Sequence, residues 1–387
     1  MSARKPVPTT RVSNRFAIEG VAGIVAWCVA AVVLHIVRFD RIGIPHSDRT
    51  AWLLGFAAAA IPVTAALFYA IASVRRDSAA RRVDSRVGVD SRVGIANHIT
   101  LLRGTLFTVC FGFAFIPPRP GYVWAPFLLY TTALVFDFVD GYLARMTGSE
   151  SAIGEILEHE YDSFGVIIAS IVAWSWGALP FVFVPVAFGR YIYLLAARIR
   201  TLRGRTMQPL VYTMSGRVIA GLYMGFLAAA LIPELPTPLL RAGAPFFLVP
   251  FVGGFVRDWL IATGYLRTEG GVYESIRRFV NRWMLGVVPI FVRIIAALFC
   301  ALLAVESGGV PGVALAVAAL LLAAGASARA AALFAMGMLA FVVFRQLGHS
   351  PHIVVAFALS TAVLVLGSGR LSLARPEERP FAVRIGR

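Results

Sequence analysis

Charge is scarce in this chain, lysine is almost missing, and acid is unevenly spread. Only 14% of the 387 residues are Asp, Glu, Lys or Arg, against about a quarter in an ordinary soluble domain. That scarcity, with 59% hydrophobic residues and a mean hydropathy of +0.78, excludes a soluble globule of this size. It also excludes a disordered chain, which needs the opposite balance. Cysteine is limited to Cys28, Cys110 and Cys300. Each sits in an apolar run and none forms a CxxC pair, so neither a disulfide framework nor a zinc site is indicated. Lys5 is the single lysine, and no function is read from that bias.

What is present is a series of apolar runs. They lie near 18–37 and 51–74, then 99–116, 122–139, 164–179, 181–197, 218–232 and 245–265, then 285–304, 310–326, 330–344 and 352–366. A span needs about 20 residues, so these runs predict an all-α, polytopic integral membrane helical bundle of about 12 transmembrane helices. The first run follows a basic start but is long for a signal sequence and lacks a clear cleavage site, so it is read as a retained span. A polar stretch, 75–94, separates the first two spans from the next six. It carries the tandem VDSRVG at 83–94, too short for a solenoid and read as a linker or a short surface helix. A polar, amphipathic piece at 267–282 precedes the last four spans. The division is therefore 1–94, 95–267 and 268–387.

The net charge is +16. In a soluble protein this would point to nucleic acid; in a membrane protein, basic loops mark the cytoplasmic side. With the amino terminus inside and the spans alternating, cytoplasmic segments hold 25 Lys or Arg and outer loops hold six, Arg38, Arg41, Arg49, Arg119, Arg241 and Arg345. Five more, Arg103, Arg190, Arg217, Arg257 and Arg293, fall in or at the ends of apolar runs. Both termini are thus placed in the cytoplasm, and no nucleic-acid partner is called for.

Seven of the twenty acids lie between 137 and 162: Asp137, Asp140, Glu150, Glu155, Glu158, Glu160 and Asp162. Asp137 and Asp140 are three apart at the end of one span; Glu158 and Asp162 are four apart at the start of the next. Each pair shares one helix face, and a helical hairpin brings the faces together at the membrane edge. Packing several carboxylates there is costly, so a cation should offset them, and Mg2+ or Mn2+ suits such hard oxygen ligands. The bland alternative is a solvated turn with ordinary surface acids, which is preferred for Glu150 and Glu160. Gly141 and Gly154 would let a ligand approach the backbone, or simply permit close helix packing.

The string DFVDGYLARMTGSESAIGEILEHEYD resembles the signature of the CDP-alcohol phosphotransferase family, DxxDGxxAR, eight residues, then GxxxDxxxD. Asp137, Asp140, Gly141, Ala144, Arg145, Gly154 and Asp162 match it with all spacings kept. Glu158 departs, standing where the family has aspartate and reaching about an ångström further. Upstream, ANHITLLR at 96–103 is similar to the family's Asn-x-x-Thr-x-x-Arg opening. The resemblance covers about 94–266 and implies a six-helix core. It implies that Asp137, Asp140, Glu158 and Asp162 hold Mg2+ or Mn2+, and that Asn97, Thr100, Asp140, Gly141, Ala144, Arg145 and Gly154 frame the CDP and phosphate end of a CDP-linked lipid, most simply CDP-diacylglycerol. Asp162 would be the general base that deprotonates an alcohol acceptor, whose oxygen attacks the β-phosphorus and releases CMP. A homodimer and a cytoplasmic active site in an inner or plasma membrane, for a bacterial source, are further implications.

The acceptor is less defined. Arg198 in the basic loop 198–205, and Ser215, Gly216 and Arg217 at a helix start, could cradle an anionic acceptor. For Arg200, Arg203 and Arg205, plain anchoring is the preferred reading; for Arg217 the two readings stand even. Arg257 and Asp258 read as a buried structural pair. Two other classes compete with a transferase: a twelve-span transporter using the acids for cation coupling, and a non-catalytic lipid-binding family member. The two–six–four arrangement lacks the paired halves of a transporter.

Overall fold

The computed structural model describes residues 11–12, 14–42, 44–80, 89–90, 95–147, 151–207, 214–267, 270–346 and 350–374. Apolar side chains with few breakers give helices almost throughout. Extended pairing among the described residues is limited to β1 (Arg11–Val12) beside β2 (Val89–Asp90) and one bridge between Ala326 and Ala374. The rest of the VDSRVG repeat lies outside the described residues.

The chain divides into two units, residues 1–176 with 231–233, and residues 177–230 with 234–387. The first contains α1 (Asn14–Arg41), α2 (His46–Ala80), α3 (Ile95–Gly112), α4 (Ala125–Thr147) and α5 (Ala152–Ser175). Its centre is α3, which packs on each of the other four. Gly104 explains how α5 comes so near: a Cβ there would lie 2.8 Å from the ring of Tyr161. Tyr161 is fully buried, and its hydroxyl donates to the Val63 carbonyl of α2 at 3.3 Å. At the other end, the Trp176 indole N–H donates to the Phe113 carbonyl at 2.9 Å. There His35 stacks on Trp52 at 4.9 Å, with Phe39 edge-on to both rings. Three arginines assigned to outer loops are clipped locally: Arg38 donates to the Gly121 carbonyl, Arg49 pairs with Asp40, and Arg119 pairs with Asp48.

The second unit holds α6 (Phe183–Ala187), α7 (Gly189–Leu202), α8 (Met214–Ala230), α9 (Thr237–Ala262) and α10 (Gly271–Phe279), then a π-helical stretch, Val280–Val287. It continues with α11 (Val288–Ser307), α12 (Gly309–Ala324), α13 (Ala328–Gln346) and α14 (Pro351–Leu366). The last four form a ring packed through small residues, among them Ala296, Cys300, Ala318, Ala332 and Ala335. In membranes such residues let helix backbones approach closely.

Most of the expected runs centre on single helices. The run at 181–197 does not: it breaks at Phe188 into α6 and α7. The Phe188 N–H closes α6 on the Pro185 carbonyl at 3.2 Å, and the Phe188 carbonyl opens α7 by accepting from the Ile192 N–H at 2.9 Å, with Gly189 as the first residue of α7. Among the described residues six helical stretches are long and apolar enough to cross a membrane, one of them Tyr273–Ser307, which runs from α10 through α11; α8, α12 and α14 are shorter apolar ones. The polar linker begins later than the sequence suggests, because α2 runs on to Ala80. Residues 367–374 fold back: buried Arg293 donates to the Ser368 carbonyl at 3.0 Å and to that of Leu371. That accounts for an arginine inside an apolar run.

Candidate active site

The acid-bearing hairpin is α4 followed by α5. Ser151 caps α5, its hydroxyl oxygen accepting from the Gly154 N–H at 3.0 Å, which satisfies one of the helix's unpaired amides. Gly154 also sits against Asn97 of α3. A Cβ there would lie 2.8 Å from Asn97 Oδ1 and 3.1 Å from Ser151 Oγ. The glycine therefore serves close packing of α5 on α3, beside Asn97.

The acids close on one cation, the guanidinium of Arg103. It is buried in the middle of α3, with 1% of its side chain exposed. Nη1 donates to Asp137 Oδ1 and lies 3.7 Å from Asp140 Oδ2. Nη2 donates to Asp162 Oδ1 at 2.8 Å and to the Glu158 carbonyl at 3.2 Å. Thr100, one turn before Arg103, donates its hydroxyl hydrogen to Asp140 Oδ2 at 2.8 Å. The forked guanidinium suits this task, because it bridges several carboxylates in a fixed geometry. Asp140 is the most enclosed of the acids, at 8% side-chain exposure, whereas Asp137 and Asp162 are 32% and 37% exposed. The cluster is thus closed by Arg103 on one side and open on the other.

Sequence reasoning expected a cation at the acids and nominated a metal; it placed Arg103 in the Asn-x-x-Thr-x-x-Arg string and among the charges within apolar runs, without giving it a role at the site. The signal was available: an arginine inside a span is expensive unless partnered, and it sits in the same ANHITLLR string as Asn97 and Thr100. Among the described residues, no three His, Cys, Asp or Glu side chains close on a common metal point. The donor set still fits Mg2+ or Mn2+ chemically, being carboxylates gathered at one place. Glu158 joins the cluster through its backbone carbonyl, while its side chain is exposed. Gly141 lies in α4 one residue after Asp140. The side chains of Ala144 and Arg145, and all of Glu150, lie outside the described residues.

The residues nominated for the acceptor, Arg198, Ser215, Gly216 and Arg217, belong to the second unit. Arg198 and Arg217 are exposed, and the Ser215 side chain lies outside the described residues. Arg200 has a local role: it donates to the Thr263 carbonyl at 3.1 Å, at the end of α9, and lies over the Tyr265 ring. A cation there complements the helix carboxyl end. Arg257 pairs with Asp258 at 2.7 Å, though both are half-exposed rather than buried.

Comparison with curated proteins gives no match, and comparison with solved structures gives none. The CDP-alcohol phosphatidyltransferase family model matches residues 93–266, which run from α3 to just past α9 and include Arg103 and every acid of the cluster. Residues 93–266 of this helical membrane protein, under half of the chain, are similar to the CDP-alcohol phosphatidyltransferase family.

Proposed function

We propose that the protein transfers a phosphatidyl group from a CDP-linked lipid, CDP-diacylglycerol, to an alcohol in phospholipid biosynthesis. The observation that supports this best is the gathering of Asp137, Asp140 and Asp162 around Arg103. Residues 95–267 form the catalytic core in this reading, flanked by 1–94 and 268–387. The working face and both termini are cytoplasmic, and the protein works as a homodimer.

Asp162 acts as general base. One oxygen is held by Arg103, which fixes the carboxylate's orientation; the other takes the acceptor's hydroxyl proton. A carboxylate is a weak base toward an alcohol, so proton removal accompanies P–O bond formation. The acceptor oxygen bonds to the β-phosphorus, the bond from that phosphorus to the CMP oxygen breaks, and CMP leaves with the electron pair. Asn97, Thr100, Asp140, Gly141, Ala144, Arg145 and Gly154 frame the cytidine and phosphate end. Asp137, Asp140, Glu158 and Asp162 would hold Mg2+ or Mn2+, which when bound supplies charge neutralisation on the diphosphate. Arg198, Ser215, Gly216 and Arg217 bind the acceptor, with an anionic group on it suited to the arginines.

The test is release of CMP from labelled CDP-diacylglycerol by the purified protein, with a panel of alcohols and with or without the metals. Release that requires metal and disappears in Asp137→Asn supports the reading. Binding of intact lipid with no CMP from any acceptor would replace it with a non-catalytic lipid-binding role. Cation-coupled uptake into vesicles without CMP would replace it with transport.

A further inference from the structure

Beyond the family segment, α10, the π-helical stretch and α11 follow one another without a break, with 9, 8 and 20 residues. The 20 residues of α11 already measure about 30 Å at the usual rise, the thickness of the hydrocarbon core. The continuous stretch Tyr273–Ser307 has 35 residues, more than one crossing needs.

The two elements before α11 are two-faced. Ile276, Phe279, Val280 and Trp283 recur at helical spacing on one side, and Ile276, Phe279 and Trp283 are 51%, 56% and 49% exposed. Arg277, Arg278 and Arg282 take the other side and are exposed too; Glu274 is the one acid among Gly271–Val287. The junction with α11 is fixed, because buried Gly286 accepts a backbone hydrogen bond from Arg370 at 3.0 Å.

We infer that Gly271–Val287 lies in the bilayer interface and binds anionic phospholipid head groups through Arg277, Arg278 and Arg282. An apolar face, a basic face and a tryptophan at the boundary are the features of a helix lying in the head-group zone. The apolar face runs into the exposed side of α11, where Phe291, Ile294 and Leu298 are open. Charge complementarity selects the occupant. A second copy of a chain with net charge +16 offers these arginines few acids, whereas an anionic leaflet offers a continuous negative surface.

Spin labels on Ile276→Cys and, separately, Ser275→Cys test this in the full-length protein with its three native cysteines replaced by alanine. The protein is reconstituted in phosphatidylcholine vesicles with and without phosphatidylglycerol. In anionic vesicles the label at 276 should be relaxed by oxygen and not by a water-soluble nickel chelate, and the label at 275 the reverse. The contrast should shrink in neutral vesicles. It should also shrink in Arg277→Gln/Arg278→Gln/Arg282→Gln, since each arginine near such a surface is worth about fivefold in partition. Should the triple variant fail to fold, the comparison of the two vesicle types stands alone. Equal nickel access at both sites, equal contrast in both vesicle types, or shielding of position 276 from both reagents would overturn the inference.

Discussion

Nη2 of Arg103 lies 2.8 Å from Oδ1 of Asp162, joining the centre of α3 to the middle of α5 across 59 residues of chain. Asp162 is the residue proposed to take the acceptor's proton, so the base is oriented by a cation that touches two further acids of the motif.

Arg103→Lys should fail to rescue what Arg103→Gln loses. A lysine offers one point charge, whereas the guanidinium fork spans Asp137 and Asp162 together. Breaking a buried pair costs about 3–5 kcal/mol, and the partial exposure of Asp137 and Asp162 lowers this toward about 2–3 kcal/mol. Thermal unfolding of the purified protein checks the stability; CMP release checks the turnover. A lysine variant with wild-type stability and rate would show that the fork is not needed.

Thr100→Val should weaken the site while Thr100→Ser should not. The valine keeps the shape but leaves enclosed Asp140 without its 2.8 Å donor. Loss of a hydrogen bond to a charged group costs about 1.5–3 kcal/mol. Unfolding midpoints of the two variants, measured side by side, check this.

Gly154→Ala should destabilise by about 1–3 kcal/mol, as overpacking does, because its Cβ would meet Asn97 Oδ1 at 2.8 Å. Adding Asn97→Ala should return part of that loss. A double-mutant cycle measures the coupling; strict additivity would mean the two residues do not press on each other.

The helices were readable from apolar runs of span length, and the acid hairpin from the crowding of carboxylates in an otherwise acid-poor chain. Thr100, Asp137, Asp140 and Asp162 gather at Arg103 and its neighbours, and Gly154 packs on Asn97. Arg103 was less legible, because periodicity says that it lies inside a helix and not which helices surround it. Its partners are 34, 37 and 59 positions away, and only the packing of α4 and α5 on α3 brings them near. Arg293 is the same case, since its carbonyl partners are 75 and 78 residues distant. The break at Phe188 is different: hydropathy averages across Pro185 and Gly189 and conceals it.

Glu158→Ala should separate folding from metal binding. Arg103 contacts the Glu158 backbone carbonyl, which the substitution keeps, so stability should stay within about 0.5 kcal/mol, as at exposed sites. Mn2+ affinity, read by electron paramagnetic resonance, should fall. Glu158→Asp should retain CMP release, and its loss would mean the pocket is built around the longer side chain.

The most direct measurement is metal-dependent CMP release from CDP-diacylglycerol by wild type and Asp162→Asn, each first shown to be folded. The account predicts release by wild type with Mg2+ or Mn2+, none without metal, and a loss of at least about a hundredfold in Asp162→Asn, within the range of general-base catalysis. Release at an unchanged rate by Asp162→Asn, or no release by folded wild type with any alcohol, would contradict it.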